Sequence, residues 1–537
     1  MVQPSPGQGG AHLVPGPGRV VYSGASHMES SQLVASWLQG RASIGPDLEL
    51  RLAPRAVSTL AAKLRRAYTW IATQALVSPY QDVQFGDPVV LSGPGTRVEL
   101  GPVGYSAYVL LPLLNLATSQ RLLFIGAPGR GKTTMATLVA LIAGGAPDEV
   151  RRSVQHGHPQ LTLTDLLGSP LPSELIRAED ATHIRVAWRR WLTQRVKIVD
   201  EYNRIPTKTQ SALLSLMAEG YAEMFEQVVE CGRSAWFLTA NDDQGGGTFP
   251  VIEALKDRID LVVRSMPFHS HHLETLAKRV AEGTAPGQFV PADIVFTSEE
   301  LDTLEREVRA VPVPPAVLEL LGFFAGQLEF CQRASGQLEY MLKDTLHLAG
   351  RRVSHVCTED CPLDKSVNLC TQTENGVSAR AYQAVLLFAK ALAYFRGATE
   401  VTVEDLRQVL PWALHDKLRP NPQSAFFQKP EHAVHLLDKV GWVRQLFDAA
   451  VVQQAAYAKV REPVARLKAQ AEAGPSGLDA GEIRRRMSDI QQVMERVLQR
   501  QELNGPVHED LVLLKNLHGR YGAYLRSLER RGKAGGA

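Results

Sequence analysis

The sequence predicts an α/β fold: a core with a parallel sheet flanked by helices, an all-α lid, a helical extension before the core, and a helical, coiled-coil hairpin after the lid. Two observations predict it. Short apolar segments alternate with helical segments over 103–268, which is typical of a parallel sheet covered by helices. Helical periodicity then dominates 269–418 and again 419–537. The strands predicted in the core are 122–125, 191–200, 235–240 and 259–263.

The predicted core is organised around a glycine-rich loop between a strand and a helix. Leu122–Ile125 is predicted to be the central strand, and an apolar helix runs from Lys132 to about Ala143. Between them lies Gly126-x-x-x-x-Gly131-Lys132-Thr133, the pattern of a P-loop that binds nucleotide phosphates. The residues predicted to bind ATP here are Gly126, Pro128, Gly129, Arg130, Gly131, Lys132, Thr133 and Thr134.

Each part of the loop has a physical task. Glycines let backbone N–H groups turn towards a polyphosphate, and the start of the following helix adds the positive end of its dipole. Lys132 is expected to reach the β- and γ-phosphates, and the Thr133 hydroxyl to ligate Mg²⁺. The alternative is a glycine-rich turn that contains a lysine by chance.

Two further predicted strands end in polar residues. The strand over 191–200 ends in Asp200 and is followed by Glu201, and the strand over 235–240 is followed by Asn241. Because ligands of parallel sheets bind at the carboxyl ends of strands, we expect Asp200 to hold Mg²⁺ and Glu201 to polarise the attacking water. Asn241 is expected to orient that water. The alternatives are a solvated strand end for the acidic pair and a turn residue for Asn241.

Several motifs occur in order along the chain: Gly126–Thr134, Asp200-Glu-Tyr-Asn-Arg204, Thr207–Leu214, Thr239-Ala-Asn241, Thr248–Pro250, Lys256–Ile259 and Ser378-Ala-Arg380. Together they resemble the MoxR family of AAA+ ATPases. The resemblance covers about 103–418, and its motifs are specific because they occur as an ordered set. It implies a AAA+ core and lid, ATP and Mg²⁺ as cofactors, and ATP hydrolysis.

The resemblance also implies roles for residues outside the P-loop. Val103 and Gly104 would approach the adenine cleft. Arg258 would be an arginine finger that reaches the site of a neighbouring subunit, so that hydrolysis would require a homo-oligomeric ring, usually a hexamer. Arg380 would sense the γ-phosphate from the lid. The alternatives are a surface ion pair with a neighbouring aspartate for Arg258 and a solvated arginine at a helix start for Arg380.

The resemblance further implies a protein client. Two segments, Leu161–Trp188 and Met217–Gly232, resemble insertions that face the pore of the ring and grip a client. Family members often act with a partner that carries a von Willebrand factor A domain. The implied function is therefore to remodel, activate or mature a partner protein complex. The alternative is a nucleotide-gated scaffold that recruits an effector, for example in a defence-type system, with ATP as a conformational switch.

Composition limits the other function classes. The chain has 537 residues, of which 45% are hydrophobic, and a net charge of +2, so nucleic acid is an unlikely partner. It contains no apolar run of about 18 residues, so we expect no membrane span. The first residues lack the basic-then-apolar pattern of a signal peptide, and we expect a cytoplasmic protein.

A cysteine-rich stretch within the predicted lid, 331–375, suggests a structural zinc site. His355, Cys357, Cys361 and Cys370 offer an imidazole and three thiols, a set that tetrahedral Zn²⁺ accepts. Cys331 is a competing fourth ligand. The alternatives are buried free thiols or a redox-labile pair.

The region before the core has a different composition and is predicted to have a different structure. Residues 1–45 are rich in Pro, Gly, Ser and Gln, which predicts a mostly disordered arm. The extension over 46–102 is predicted to contain helix over 54–77 and a small hairpin over 80–101.

Heptad-like spacing marks the end of the chain. Apolar residues recur at 4-3-4-3 spacing from Ile483 to Val497 and at 3-4-3-4 spacing from Leu514 to Leu528, on either side of Gly505-Pro506. The pattern predicts an antiparallel coiled-coil hairpin or two helices of a small bundle. Such a hairpin would be either plain packing or a docking arm for a partner.

Overall fold

The structure is a computed structural model that describes residues 58–534, with gaps at 95, 172–183, 242–252, 358–360, 362, 364, 366–367, 473 and 501–502. Several predicted features lie outside the described residues: the arm over 1–45, the first part of the extension over 46–57, the middle of the first insertion, and Thr248–Pro250.

The described strands form one parallel sheet and four small antiparallel pairs. The sheet has the order β13-β5-β12-β9-β6, and the pairs are β1–β4, β2–β3, β7–β8 and β10–β11. The strands are β1 (Val83–Phe85), β2 (Val89–Gly93), β3 (Thr96–Leu100), β4 (Val103–Tyr105), β5 (Arg121–Ile125), β6 (Val154–His156), β7 (Gly168–Pro170), β8 (Val186–Trp188), β9 (Val196–Asp200), β10 (Tyr221–Met224), β11 (Gln227–Glu230), β12 (Ala235–Ala240) and β13 (Leu261–Arg264).

The predicted fold class is confirmed, with two changes to the sheet. The prediction of β5 as the central strand was wrong, because β12 lies in the middle and pairs with β5 on one side and β9 on the other. Every residue of β12 is buried, as expected for a strand that has helices on both faces. The strand β6 escaped prediction because its three residues include Gln155 and His156 and carry no apolar run.

Helices account for most of the remaining described chain. A π-helical turn, Ile71–Ala75, extends the first of them. The helices are α1 (Thr59–Trp70), α2 (Ala107–Thr118), α3 (Lys132–Ile142), α4 (Pro147–Ser153), α5 (Leu163–Leu167), α6 (Thr207–Glu219), α7 (Glu253–Arg258), α8 (Leu273–Glu282), α9 (Ser298–Ala310), α10 (Pro315–Glu329), α11 (Lys343–Leu348), α12 (Val353–Val356), α13 (Ala379–Arg396), α14 (Val403–Leu414), α15 (Lys439–Glu472), α16 (Ala480–Arg500) and α17 (Gly505–Ala534).

Alternate residues of β5, β9, β12 and β13 enter two separate apolar cores, because successive side chains of a strand point to opposite faces. Phe124 of β5 and Phe237 of β12 stack in the first core, with ring centroids 6.2 Å apart. That core also contains α2, α3 and the helices of the predicted lid. Leu123 of β5 and Leu238 of β12 lie in the second core, against residues of α6. The sheet is therefore held from both sides.

Helix ends in the predicted lid follow their sequence signals. Thr402 and Asp405 form a capping box at the start of α14, since each side chain satisfies the other residue's backbone N–H. Gly397 ends α13 in the left-handed region, with a φ of 78°. The predicted domain boundaries, after residues 102, 268 and 418, stay predictions.

The last two helices form an antiparallel pair. Arg484 of α16 bonds to Glu529 of α17, and Gln491 bonds to His518, so that residues later in α16 meet residues earlier in α17. The pair is not isolated, because α17 also packs against α10: a Cβ added at Gly505 would lie 2.1 Å from the Gly326 carbonyl oxygen. The helices therefore belong to a bundle that includes α10 and α15.

We expect Gly505→Ala to destabilise the protein. The added methyl group would overlap the backbone oxygen of Gly326, which cannot move aside as a flexible side chain does. The expected cost is about 1–3 kcal/mol of unfolding free energy, measured by chemical denaturation. Gly519→Ala in the same helix is the matched control, since nothing lies within 4 Å of its added Cβ, and we expect it to be neutral or stabilising. Equal stability of both variants would contradict the close packing of α17 on α10.

Among the described helices, none is at once long and apolar enough to cross a membrane. Only α9 and α10 taken together reach the length and composition of a span, and they are bent by 82° relative to each other. Leu304 of α9 and Phe324 of α10 are fully buried in the first core.

Candidate active site

The P-loop connects β5 to α3 at the carboxyl edge of the sheet. Gly129 and Gly131 adopt left-handed φ values of 72° and 74°. A Cβ on Gly126 would lie 2.1 Å from the Ser265 hydroxyl oxygen, so only glycine allows this close approach. Gly131 is the N-cap of α3, which leaves the first N–H groups of the helix facing the loop. The loop therefore has the backbone geometry that the predicted phosphate-binding loop requires.

The other predicted P-loop residues lie at the rim and in the first turn of the helix. Pro128, Gly129 and Arg130 are exposed, whereas Thr134 is half-buried. Lys132 is only 7% exposed. Its Nζ donates to the carbonyl oxygens of Gly126 and Ala127 at 2.6 and 2.9 Å. The ammonium group thus lies inside the curve of the loop, where a bound polyphosphate would meet it.

Thr133 and Asp200 meet at the end of β9, as their predicted shared role requires. The Thr133 hydroxyl donates to Asp200 Oδ1 at 2.7 Å. On the other side, Asp200 Oδ2 lies 3.4 Å from His156 Nδ1. A hydroxyl and a carboxylate are hard oxygen donors of the kind that Mg²⁺ prefers, so this pair fits the predicted ion.

Glu201 has a backbone conformation that is rare for its residue type. Its φ is 52°, in the left-handed region, where a residue other than glycine is strained. Asn241 Nδ2 donates to Glu201 Oε1 at 2.7 Å, and Arg204 Nε lies 3.2 Å from Glu201 Oε2. The Asn241 Oδ1 atom in turn accepts from Lys132 Nζ at 2.8 Å. The structure thus links the two strand ends to the P-loop lysine through one amide side chain.

Thr239, which the sequence suggested only as part of a motif, supports both acidic residues. Its hydroxyl donates to Asp200 Oδ1 at 2.5 Å and accepts the backbone N–H of Glu201 at 2.9 Å. The side chain is completely buried. It lies on β12, next to β9, so only strand pairing brings it to these groups.

We expect Thr239→Val to lower ATP turnover by roughly tenfold or more, a loss that corresponds to about 1.4 kcal/mol of transition-state stabilisation. Valine has nearly the same shape but leaves the partly buried Glu201 N–H and the Asp200 carboxylate without this partner. Steady-state turnover of purified protein measures the effect. Thr239→Ser retains the hydroxyl group and should recover most of the turnover. Wild-type turnover in the valine variant would contradict the supporting role.

Gly157 is another residue that sequence reasoning missed. Its N–H donates to the carbonyl oxygen of Asp200 at 2.7 Å, and an added Cβ would lie 2.2 Å from the carbonyl oxygen of Glu201. Gly157 therefore packs directly against the backbone of Asp200 and Glu201 and supports the strained conformation of Glu201. The signal that could have located it is the glycine between His156 and His158.

The two predicted arginines lie close to each other in the structure. Arg380 Nη1 lies 2.6 Å from Asp257 Oδ2, and the Ser378 hydroxyl bonds to Asp257 Oδ1. Arg258 follows Asp257 at the end of α7 and donates to the Ala254 carbonyl oxygen at 3.4 Å. Asp257 is thus engaged by Arg380, which differs from the alternative that it pairs with Arg258. The catalytic roles of both arginines stay predictions.

This arginine pair belongs to the amino edge of the sheet, opposite the P-loop. Asp260, two residues after Arg258, bonds to the backbone N–H of Arg121 at the start of β5. The P-loop begins at the other end of β5, after Ile125. Five residues at about 3.3 Å each separate the two edges by roughly 13–16 Å. Arg258 therefore lies at the opposite edge of the sheet from the phosphates of its own subunit.

The P-loop has neighbours other than the residues predicted for the adenine cleft. Val103 and Gly104 lie in β4, paired with β1, and Val103 is 40% exposed. Instead, Leu76 approaches Gly131, with its Cδ2 atom 4.0 Å from the position of an added Cβ. The Tyr108 hydroxyl donates to the carbonyl oxygen of Arg130 at 3.3 Å. The role of Val103 and Gly104 stays a prediction, and Leu76 and Tyr108 join the candidates.

The predicted zinc site is not seen among the residues that the structure describes. Within the part of the chain that the structure describes, no three His, Cys, Asp or Glu side chains come together in an arrangement that could hold a metal ion. All five cysteines are free. Cys357, Cys361 and Cys370 line a small cavity with Cys331, but His355 does not. Burial raises the pKa of the Cys370 thiol to about 12.

Two protein families match segments of the chain. Residues 121–261 match the ATPase family associated with various cellular activities, AAA. Residues 367–436 match the AAA lid domain. The first segment contains the whole of the sheet except its last three residues, together with the P-loop, Asp200, Glu201 and Asn241. The second contains α13 and α14.

Two curated proteins are similar to this chain over its middle part. The chaperone MoxR1 of Mycobacterium tuberculosis is 28% identical over 322 residues, which are 59% of this chain and 72% of that protein. The uncharacterised protein YeaC of Bacillus subtilis is 24% identical over 327 residues, which are 60% of this chain and 85% of that protein.

Solved structures show weaker likeness. A protein described as an ATPase from Cytophaga hutchinsonii aligns with a TM-score of 0.47 and 18% identity, over 72% of this chain and 94% of that one. A full-length MCM homologue of Methanopyrus kandleri aligns with a TM-score of 0.37 and 15% identity, over 69% and 64%. No conclusion rests on these two likenesses. The matched segments, the similarity to MoxR1 and the ordered motifs agree: the middle part of this chain carries an AAA ATPase core and an AAA lid, and it is similar to the chaperone MoxR1.

Proposed function

We propose that this protein is a Mg²⁺-dependent ATPase that works as a homo-oligomeric ring, usually a hexamer, and remodels or activates a partner protein complex in the cytoplasm. One observation carries the enzymatic part of the proposal. Lys132, Thr133, Asp200, Glu201 and Asn241 come from three separated segments and meet in one hydrogen-bonded group at the carboxyl edge of the sheet.

The residues divide the chemistry between them. Thr133 and Asp200 would hold Mg²⁺, which supplies positive charge to the phosphates when bound. Lys132 lies inside the loop and would exchange its carbonyl partners for phosphate oxygens. Glu201 would accept a proton from the attacking water, and Asn241, which already contacts Glu201, would hold that water in line.

The position of the arginines supports the proposed ring. Arg258 and Arg380 lie beside Asp257, near the amino edge, whereas the P-loop lies at the carboxyl edge. A positive charge at one edge and a phosphate site at the other are complementary between adjacent copies of the chain. Arg258 would then stabilise the charge that gathers on the γ-phosphate in the neighbouring subunit.

The proposed client contact lies in the two insertions, and the partner proposed for this system carries a von Willebrand factor A domain. Support for the partner comes from the MoxR-like family alone. A protein remodelled by the ring would be released and rebound with each round of hydrolysis. A nucleotide-gated scaffold, by contrast, would bind ATP and turn it over very slowly.

Two measurements test the proposal together: the rate of ATP turnover and the capture of a client protein. ATP turnover per subunit should rise steeply with protein concentration as the ring assembles, and light scattering on the same samples should show the larger species. Lys132→Ala is the control that should not bind ATP. Glu201→Gln protein loaded with ATP should retain a client from a lysate of the source cells. ATP binding without measurable turnover at any concentration would favour the scaffold and refute the proposal.

A further inference from the structure

The hairpin formed by β10 and β11, within the second insertion, has two chemically different faces. Ala222, Met224 and Val229 pack into the second core of the protein. The side chains that face away from that core are exposed and define what we term the acidic–apolar face: Tyr221, Glu223, Phe225, Glu226, Val228 and Glu230. The hairpin is therefore anchored by one face and open on the other.

The exposed residues of the two strands alternate in a regular way. Tyr221 lies opposite Glu230, and Glu223 lies opposite Val228. Tyr221 is 37% exposed and Val228 is 55% exposed. A hairpin gains stability when apolar residues lie opposite each other or when opposite charges pair. Each apolar residue here faces a carboxylate instead, so the stability of the hairpin does not account for the pattern.

The tip of the hairpin adds an aromatic ring at a strained position. Phe225 and Glu226 form the two-residue turn, with φ values of 51° and 59°. Turns with two positive φ values favour Asn and Gly, and a phenylalanine there costs stability. Phe225 is also 38% exposed. A large apolar side chain thus occupies a place where neither backbone conformation nor burial favours it.

The face is held in place by the other insertion. Gln227 Nε2 donates to the Ile184 carbonyl oxygen at 2.6 Å, and the Val186 N–H donates to Gln227 Oε1 at 3.3 Å. At the base of the hairpin, Cys231 N–H donates to the Gly220 carbonyl oxygen at 2.8 Å. A binding surface built this way is ordered before a ligand arrives, which lowers the entropic cost of binding.

The segment that contains the hairpin is acidic. Residues 209–232 contain four glutamates and no Lys, Arg or His. Within the described residues, no ion pair involves Glu223, Glu226 or Glu230. Carboxylates in this arrangement repel the phosphates of nucleic acid and attract basic side chains.

We infer that the acidic–apolar face binds an extended polypeptide segment in which basic and apolar side chains alternate along one side. An extended chain presents every second side chain to the same side at a spacing of about 6.6 Å, which matches the spacing of Tyr221 and Glu223 along β10. The Phe225 ring offers contact area to an apolar side chain and a cation–π partner to a basic one. This inference rests on the proposed function and names the class of client.

The inference is tested by measuring how tightly labelled probes bind to the full-length protein in the presence of ATP, with fluorescence anisotropy as the readout. The probes are a peptide of repeated Gly-Leu-Ser-Lys, the same peptide with Glu in place of Lys, and single-stranded oligo-dT. We expect the basic peptide to bind at least about tenfold more tightly than either of the others. Equal binding of both peptides, or preference for oligo-dT, would overturn the inference.

Variants of the face make the test specific. Phe225→Asn removes the ring but suits the positive φ, so the hairpin keeps its turn, and we expect about tenfold weaker binding of the basic peptide. Val90→Asn, in the exposed β2–β3 hairpin, is the matched control. Glu223→Lys combined with Glu226→Lys should reverse the preference so that the acidic peptide binds more tightly, with Glu319→Lys as its control. A preference unchanged by these substitutions refutes the site.

The same samples separate this inference from the proposed function. ATP turnover and particle size are measured without any probe. A protein that neither assembles nor hydrolyses ATP counts against the proposed ATPase ring, whatever the peptides do. If the ring is active but Phe225→Asn leaves its affinity for the basic peptide unchanged, the result counts against the acidic–apolar face alone.

Discussion

Glu201→Gln is expected to reduce ATP hydrolysis by roughly 10²- to 10⁴-fold while leaving ATP binding intact. The amide cannot accept a proton from water, and loss of a general base has an effect of this size. Its oxygen can still accept the hydrogen bond from Asn241, so the geometry of the site should persist. Steady-state turnover and equilibrium binding of a fluorescent ATP analogue measure the two properties separately.

The control for this substitution is Glu299→Gln, an exposed carboxylate in the first turn of α9. It should change neither property. Turnover at the wild-type rate in the Glu201 variant would show that another group activates the water. Loss of ATP binding would mean that the carboxylate holds the loop together instead of acting on the water.

Arg258→Ala is expected to lower hydrolysis by roughly 10³-fold or more and to leave ATP binding unchanged, which is the effect of removing an arginine finger. The physical reason is its position at the amino edge, where it contributes nothing to the P-loop of its own subunit. Turnover per subunit is the measurement. Lys256→Ala, an exposed residue of the same helix, should retain full turnover.

Mixing two inactive variants shows whether the site is shared. A subunit with Arg258→Ala keeps its P-loop, and a subunit with Lys132→Ala keeps its arginine, so a mixed ring contains junctions with both. We expect turnover to recover on mixing. No recovery, although light scattering shows mixed rings, would place the arginine and the P-loop in the same subunit.

The part of the site that sequence predicts well is the part encoded locally. The P-loop joins a strand to a helix within one short segment, and its glycines are required by the φ values and close contacts that they adopt. Asp200 and Asn241 could be placed because the ends of apolar strands meet at one edge of a parallel sheet. The same rule accounts for the contact of Asp200 with Thr133 and of Asn241 with Lys132, because the P-loop also lies at that edge.

Other features depend on segments far apart in the chain. Thr239 reaches Asp200 only because β12 lies beside β9, and Gly157 supports Glu201 only because β6 extends the sheet. No local period encodes the order of strands, which is why β5 was wrongly expected in the centre. The cysteine spacing was compatible with zinc, but it carried no information on the apolar surroundings of Cys370, which packs with Phe330 and Leu363.

The sequence by itself predicts the elements of the proposed chemistry: a phosphate loop, an acidic strand end and a polar residue after another strand, each located by the apolar strands and by the φ values that glycine permits. Only the tertiary structure decided where Arg258 and Arg380 lie relative to that chemistry, and that the exposed face of the β10–β11 hairpin alternates acidic and apolar residues. Crossovers and strand pairing fix those positions, and they depend on packing between distant segments.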